Sequence, residues 1–250
     1  MNNEARSRDA SGKHGHTLIS DAKFRRLYAL ALERAQDASG EALSAAMAGV
    51  AADLRGDDAV ITQERGAKSD FRERVIAGLS GAAADRLRKN ERLTVIVCAG
   101  PGNDPILGEA HQLADEAKLA VLFVEDWRRV ENGGATKKAS VPLPQRIGAM
   151  PVIPVDAEDV IAIYRVAHES IARAREGSGP TRMQCTRWPV ASPSDNTVGA
   201  VGHLEQWLEA RGLPAQAWRR EILAELQAAK GEDAGRAEES AREIEELRSA

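Results

Sequence analysis

The chain has 250 residues, of which 29% are charged, and its formal net charge at pH 7 is -4. This length is enough for one α/β domain with a full core and appended helices. The charge argues against nucleic acid or an anionic membrane as a partner, and no apolar run approaches the ~20 residues that a membrane helix needs. Residues 1–16 are polar, so we expect a disordered arm there and no secretory signal.

The first third of the chain reads as helices with one short strand. Apolar residues at helical spacing predict a first helix that is capped by Ser20 and runs to Leu32. The same periodicity predicts helices over residues 39–54 and 71–89. Between these two helices, a short apolar run predicts a strand over residues 59–62.

The next segment has the order strand, glycine turn, helix, strand. Its predicted elements are a strand over 93–98, the turn Gly100-Pro101-Gly102, a helix over 108–117 and a strand over 119–124. Both strands are apolar without alternation, which is typical of parallel strands covered on two faces. Open α/β sheets bind phosphate-bearing ligands at the carboxyl ends of such strands, so Gly100 and Gly102 are candidate cofactor-binding residues. The alternative is a tight turn with no ligand.

The second half of the chain continues the alternation and then closes with helices. We predict a loop over 128–141, a strand over 150–155, a helix over 160–175, a strand over 181–188, a loop over 192–196, and helices over 203–211 and 214–226. This order predicts an α/β fold with a mostly parallel sheet flanked by helices and a helical C-terminal part. Cys98 and Cys185 fall in the strand-like runs, where buried thiols are favoured over a disulfide and suit a reducing cytoplasm.

Four stretches, in this order, resemble the alpha subunit of thiamine-diphosphate-dependent 2-oxo acid dehydrogenases, the first component of the pyruvate and branched-chain complexes. Residues 109–124 include "KLAVLFV", which is similar to the family's "KLPVIFV". Residues 155–181 run from "VDAEDV" to "AREGSGPT" and resemble the family's "VDGNDV" and "ARAGEGPT". The other two stretches are residues 20–28, like the family's opening helix, and residues 40–58, like its "GQEA" to "ALRPGD" region.

The resemblance implies a reduced thiamine-diphosphate-binding-like domain over residues 17–228, followed by a charged helical tail over 229–250. It also implies thiamine diphosphate and Mg²⁺ as cofactors and oxidative decarboxylation of a 2-oxo acid as the reaction. A beta-type dehydrogenase subunit would be the partner, with self-association as a further possibility. The expected location is cytoplasmic.

The chain departs from the family where the metal would bind. The family holds Mg²⁺ with a Gly-Asp-Gly turn and an asparagine about thirty residues later. Here Pro101 and Trp127 stand at those two positions, and neither side chain offers the oxygen ligand that Mg²⁺ requires. Asp104 and Asp126 flank the carboxyl ends of the strands and are the candidate substitutes as metal ligands.

Two further absences agree with this departure. Only residues 61–92 fill the interval in which the family carries a Gly- and His-rich segment that helps to close its cofactor site. The loop matching the family's "HSxSDD" keeps Ser192, Ser194 and Asp195 but has no histidine. We therefore predict impaired or lost cofactor binding and assign no catalytic residue.

The sequence leaves more than one role open for three histidines. His111, His168 and His203 lie in predicted helices, where surface or hydrogen-bonded core positions are the favoured interpretation over catalysis.

The first functional hypothesis is a dehydrogenase alpha-type subunit. The second is a non-catalytic scaffold or regulatory subunit that keeps the alpha-like fold and pairs with a beta-type subunit. The third is a small phosphate-ligand binder that uses the glycine turn.

Overall fold

The computed structural model describes residues 19–36, 44–63, 68–99, 105–126, 146–186 and 199–231. The predicted N-terminal arm and the loops over 128–141 and 192–196 lie outside the described residues, as does the tail beyond residue 231.

Six strands and seven helices make up the described part of the chain. The helices are α1 (Asp21–Gln36), α2 (Ser44–Ala51), α3 (Lys68–Arg88), α4 (Pro105–Glu116), α5 (Val160–Arg175), α6 (Gly199–Ala210) and α7 (residues 215–231). The strands are β1 (Ala59–Thr62), β2 (Thr94–Ala99), β3 (Val121–Asp126), β4 (Arg146–Ile147), β5 (Met150–Asp156) and β6 (Thr181–Thr186). No helix within the described ranges is both long and apolar enough to cross a membrane.

The sheet has the order β1-β2-β3-β6-β5-β4. Its first five strands pair in parallel, and the two-residue β4 pairs antiparallel with β5. The chain moves inward from the edge strand β1 to β3 through α3 and α4, and it moves in the opposite direction across the sheet from β5 to β6 through α5. The direction of winding therefore reverses between β3 and β6, which makes this the topological switch point. The predicted mostly parallel α/β fold is confirmed.

The two faces of the sheet bury separate cores, because successive strand residues point to opposite faces. On one face α3 and α4 cover residues such as Ile96, Cys98 and Phe123. On the other face α1, α2, α5 and α6 cover residues such as Val97 and Cys185. Both cysteines are buried thiols, as predicted.

Two boundaries differ from the prediction for local reasons. Helix α4 begins at Pro105 rather than at residue 108, since proline suits the first helical position, where a backbone N–H has no partner within the helix. Strand β3 begins at Val121 rather than at residue 119, because Lys118 takes a left-handed conformation (φ 51°) that ends the helix. The backbone N–H of Leu119 then donates to the carbonyl of Ala114 at 2.9 Å, as in a helix C-cap.

The helical C-terminal part is confirmed and is joined to the first helix through polar contacts. Glu205 of α6 accepts hydrogen bonds from the Tyr28 hydroxyl of α1 and from Arg219 of α7. The ring of Trp207 packs edge-on against Phe24, with 5.0 Å between the ring centroids. Helix α6 begins at Gly199, four residues before the predicted start.

Candidate functional site

Strands β2, β3 and β6 all end at the carboxyl edge of the sheet beside the switch point. Of the candidate ligands, only Asp126 lies in the described chain, as the last residue of β3, where it pairs with Ala99 and Cys185 of the neighbouring strands. Gly100, Gly102 and Asp104 lie outside the described residues, as do Pro101, Trp127, Ser192, Ser194 and Asp195. Their roles stay predictions.

A buried ion pair lies directly beneath this edge. Glu125 of β3 is completely buried and accepts two hydrogen bonds from Arg182 of β6. Arg182 Nε lies 2.6 Å from Glu125 Oε1, and Nη2 lies 2.7 Å from Oε2. The pair spans the switch point because Glu125 is in register with Gln184, two residues beyond Arg182 on the same face of β6. Such a bidentate geometry is the strongest arrangement for these two groups.

His111 of α4 completes the cluster from the helix side. The residue is 3% exposed, and its ring packs edge-on against Phe123 with 4.4 Å between the ring centroids. Burial, together with the positive charge of Arg182, lowers the pKa of His111 to about 4. The imidazole is therefore neutral at pH 7, and the 3.7 Å approach of Nε2 to Glu125 Oε1 is not an ion pair.

The environment of His111 corrects the sequence-based interpretation. We expected a surface or hydrogen-bonded core position, but His111 is buried and its Nε2 forms no hydrogen bond within the described part of the chain. Neither Glu125 nor Arg182 was assigned a role from the sequence. The available signals were a carboxylate that follows the apolar run of β3 and a single charged residue, Arg182, within β6. Only the strand order shows that these residues face each other.

His168 and His203 occupy at least partly exposed positions, in agreement with the structural role that we expected for them. His168 is 61% exposed on α5, and its Nδ1 lies 2.5 Å from Asp53 Oδ2. Lys23 of α1 donates to the other oxygen of Asp53 at 2.7 Å. Burial opposes ionisation of Asp53, but the hydrogen bonds from Lys23 and His168 outweigh it and lower the pKa of this carboxyl. This cluster joins α1, α5 and the end of α2. His203 lies on α6 and is partly exposed.

The described residues do not supply a magnesium site. They contain no group of three or more His, Cys, Asp or Glu side chains that could hold a metal ion. Two carboxylates with described contacts lie near the carboxyl edge: Glu125 is held by Arg182, and Asp156, the last residue of β5, accepts from the backbone N–H of Glu158. Because the other candidate ligands lie outside the described residues, metal and cofactor binding stays a prediction, and we derive no reaction step through thiamine diphosphate.

A cavity of about 570 Å³ lies at the opposite, amino end of the sheet. Five cations line it, and four of them already contact a carboxylate or carbonyl group of the protein. Arg86 donates to the carbonyl of Lys118 at 2.8 Å, and Arg175 contacts Asp58 at 2.5 Å. Because open α/β sheets bind ligands outside their carboxyl ends, we assign the candidate site to the cluster of His111, Glu125 and Arg182.

The family model "Dehydrogenase E1 component" matches residues 14–196. The chain is similar to the alpha subunit of acetoin:2,6-dichlorophenolindophenol oxidoreductase from Bacillus subtilis (strain 168), with 33% identity over 90 residues. It is also similar to the subunit of that name from Cupriavidus necator, with 30% identity over 118 residues.

The similarity covers part of each protein. The two alignments include 34% and 43% of this chain, and 27% and 34% of the relatives. The chain therefore matches about a third of the length of these curated relatives. An X-ray structure described as a thiamin diphosphate-dependent enzyme from Mycobacterium smegmatis aligns with 15% identity and a TM-score of 0.39, covering 58% of this chain and 31% of that one.

Proposed function

The chain belongs to the dehydrogenase E1 component family, and from this membership we propose that it is an alpha-type subunit whose binding of thiamine diphosphate and Mg²⁺ is impaired or lost. The proposed ancestral reaction is oxidative decarboxylation of a 2-oxo acid. Acetoin, which appears in the names of the two relatives, widens the candidate substrates to small 2-hydroxy ketones.

The observation that carries the proposal is the connection between β1 and β2. Helix α3, Lys68–Arg88, fills almost the whole interval between these strands. In the family this interval holds the segment that helps to close the cofactor site, and a single crossover helix leaves no chain for it. Pro101 and Trp127 at the two metal-ligand positions support the same conclusion, because neither side chain can donate an oxygen to Mg²⁺.

Calorimetry of the full chain, alone and with a beta-type subunit, tests the proposal. We expect no heat of binding for thiamine diphosphate with Mg²⁺ up to millimolar cofactor. Changing Pro101→Asp together with Trp127→Asn restores a carboxylate and an amide, and should produce binding that requires Mg²⁺. Pro101→Ala with Trp127→Ala is the matched control, since it removes the same side chains without adding oxygen ligands. Micromolar binding by the unmodified chain would show that the proposal is wrong.

The second candidate, a non-catalytic scaffold or regulatory subunit, is favoured by the same short connection, because the fold is complete without the cofactor-closing segment. It predicts a stable complex with a beta-type subunit in the absence of cofactor. Size-exclusion chromatography with light scattering measures this directly. A chain that stays monomeric in the presence of that subunit would count against it. A cytoplasmic location is part of the proposal and suits the two buried thiols.

A further inference from the structure

The exposed large hydrophobic residues of the described chain belong to three neighbouring elements at one edge of the sheet. These residues are Val60 of β1, Ile76 and Leu87 of α3, and Leu113 of α4. Helix α3 packs against both β1 and α4, so it lies at the centre of this group. Leu87 is 86% exposed and Ile76 is 48% exposed. Exposed hydrophobic residues that cluster in this way mark an interaction surface, whereas residues scattered singly over a surface do not.

The two exposed apolar residues of α3 share one face of the helix, because about three full turns separate them. Ser80 and Ala83 lie between them on the same face, and we call these four residues the α3 face. The hydroxyl of Ser80 donates to the backbone carbonyl of Ile76 at 2.8 Å, so it is satisfied within the helix. The sequence has no charged residue over positions 75–84. The middle of the α3 face is therefore apolar.

The α3 face is complementary to itself when two copies of the helix pair in antiparallel orientation. A twofold axis across the middle of the helix places Ile76 of one copy opposite Leu87 of the other, and symmetry makes this contact twice. Glu73 and Arg88 are both exposed, and they lie along the same edge of the face near its two ends. The same axis brings Glu73 of each copy close to Arg88 of the other. Opposite charges therefore flank the apolar contacts at both ends.

The charges beside the α3 face select its occupant. Because the two ends of the face carry opposite charges, a partner segment of uniform charge would be repelled at one end. The C-terminal residues 232–250 have more acidic than basic side chains, so they would be repelled at Glu73. A second copy of the chain, running in the opposite direction, matches both ends at once.

We propose that the chain forms a twofold dimer in which the α3 faces of two copies pack against each other in antiparallel orientation. A stable interface buries roughly 800 Å² on each partner, and one helix pair is small by this measure, so the dimer dissociates at micromolar concentration. The inference is independent of the proposed function, because the dimer needs neither a cofactor nor a beta-type subunit.

Sedimentation equilibrium of the full chain, from micromolar to millimolar concentration, tests the dimer. We expect a monomer–dimer equilibrium for the unmodified chain. Leu87→Glu should raise the dissociation constant at least about tenfold, since it places a carboxylate against Ile76 of the other copy at two symmetric positions. Leu87→Met is the matched control and should keep the dimer, because it conserves volume and apolar character. Leu87 is exposed in the monomer, so both variants should fold, which circular dichroism checks.

Charge reversal tests the antiparallel register without changing the apolar contacts. Glu73→Lys alone and Arg88→Glu alone each place like charges across the axis, and each should weaken the dimer several-fold. An equimolar mixture of these two variants restores an opposite-charge pair at both ends, so it should dimerise about as strongly as the unmodified chain. A variant that had lost its fold could not be rescued by mixing.

Three results would each overturn the proposal. The first is an unmodified chain that stays monomeric at millimolar concentration, and loss of beta-type subunit binding in Leu87→Glu would then assign the α3 face to that subunit. The second is a dimer that Leu87→Glu leaves unchanged. The third is a pair of charge-reversed variants that do not rescue each other. Because these measurements use the chain alone, they are separable from failure of the proposed function.

Discussion

The depressed pKa of His111 predicts how the stability of the whole domain depends on pH. The unfolded chain gains a proton at His111 near its ordinary pKa of 6.5, whereas the folded chain gains it only near pH 4. Between these two values the unfolded state binds more protons, so the free energy of unfolding falls as the pH falls. The contribution of neutral His111 to the free energy of unfolding is fully present above pH 6.5 and fully lost below about pH 4.

The magnitude follows from the size of the shift. One pKa unit corresponds to about 1.4 kcal/mol, so the shift of His111 from 6.5 to about 4 is worth about 3 kcal/mol. Small domains have total stabilities of about 5–15 kcal/mol, so the effect is large enough to measure. Between about pH 7.5 and pH 4.5, the unmodified chain should lose more free energy of unfolding than His111→Leu, which lacks the titrating group. The difference between the two losses should be about 2–3 kcal/mol.

Urea unfolding followed by circular dichroism at several pH values measures this difference. Comparing each variant with itself across pH cancels any change in packing caused by the substitution. Ile106→Val is the matched control, because it removes one buried methyl group from the same helix and does not titrate. It should lower stability by about 1 kcal/mol at every pH. Superimposable pH profiles for the unmodified chain and His111→Leu would refute the reasoning.

Two further predictions concern packing and charge. Arg182→Met should lower the free energy of unfolding by about 3–5 kcal/mol, because it removes the positive charge that is paired with the buried carboxylate of Glu125. The added change Glu125→Leu should recover most of this loss, as measured by chemical denaturation. A smaller effect of Arg182→Met alone would show that water reaches the pair. Gly49→Ala should lower the melting temperature, since an added Cβ would lie 2.5 Å from the Ile163 side chain in α5. Gly108→Ala has open space around it and should instead stabilise α4 by about 0.5–1 kcal/mol, so equal effects at the two glycines would contradict the packing argument.

Local patterns in the sequence were sufficient to predict most of the secondary structure. Helix α5 shows why, because Asp159 caps it by accepting from the Ala162 N–H at 2.9 Å, and Gly177 beyond its end takes a positive φ of 80°. Both signals act within a few residues and are visible in the chain itself. The apolar runs of β2 and β3 likewise predicted a sheet buried on both faces, and the structure confirms it.

The sequence also determined the family, because collinear stretches are matched along the chain without reference to its shape. The glycine turn and the candidate metal ligands were found in the same way, and their roles stay predictions. What the sequence lacked was the spatial order of the strands. A crossover places β6 beside β3, although 54 residues separate the end of one from the start of the other.

Only the tertiary structure therefore decided which residues form the candidate site. Glu125 and Arg182 are 57 residues apart, and they pair because β3 and β6 are parallel neighbours with their side chains on one face. The pKa of His111 also depends on that arrangement, since burial of its ring between α4 and the sheet and the charge of Arg182 together keep the ring neutral. Local patterns depend on neighbouring residues along the chain, whereas desolvation and long-range charge pairs exist only after the sheet is assembled.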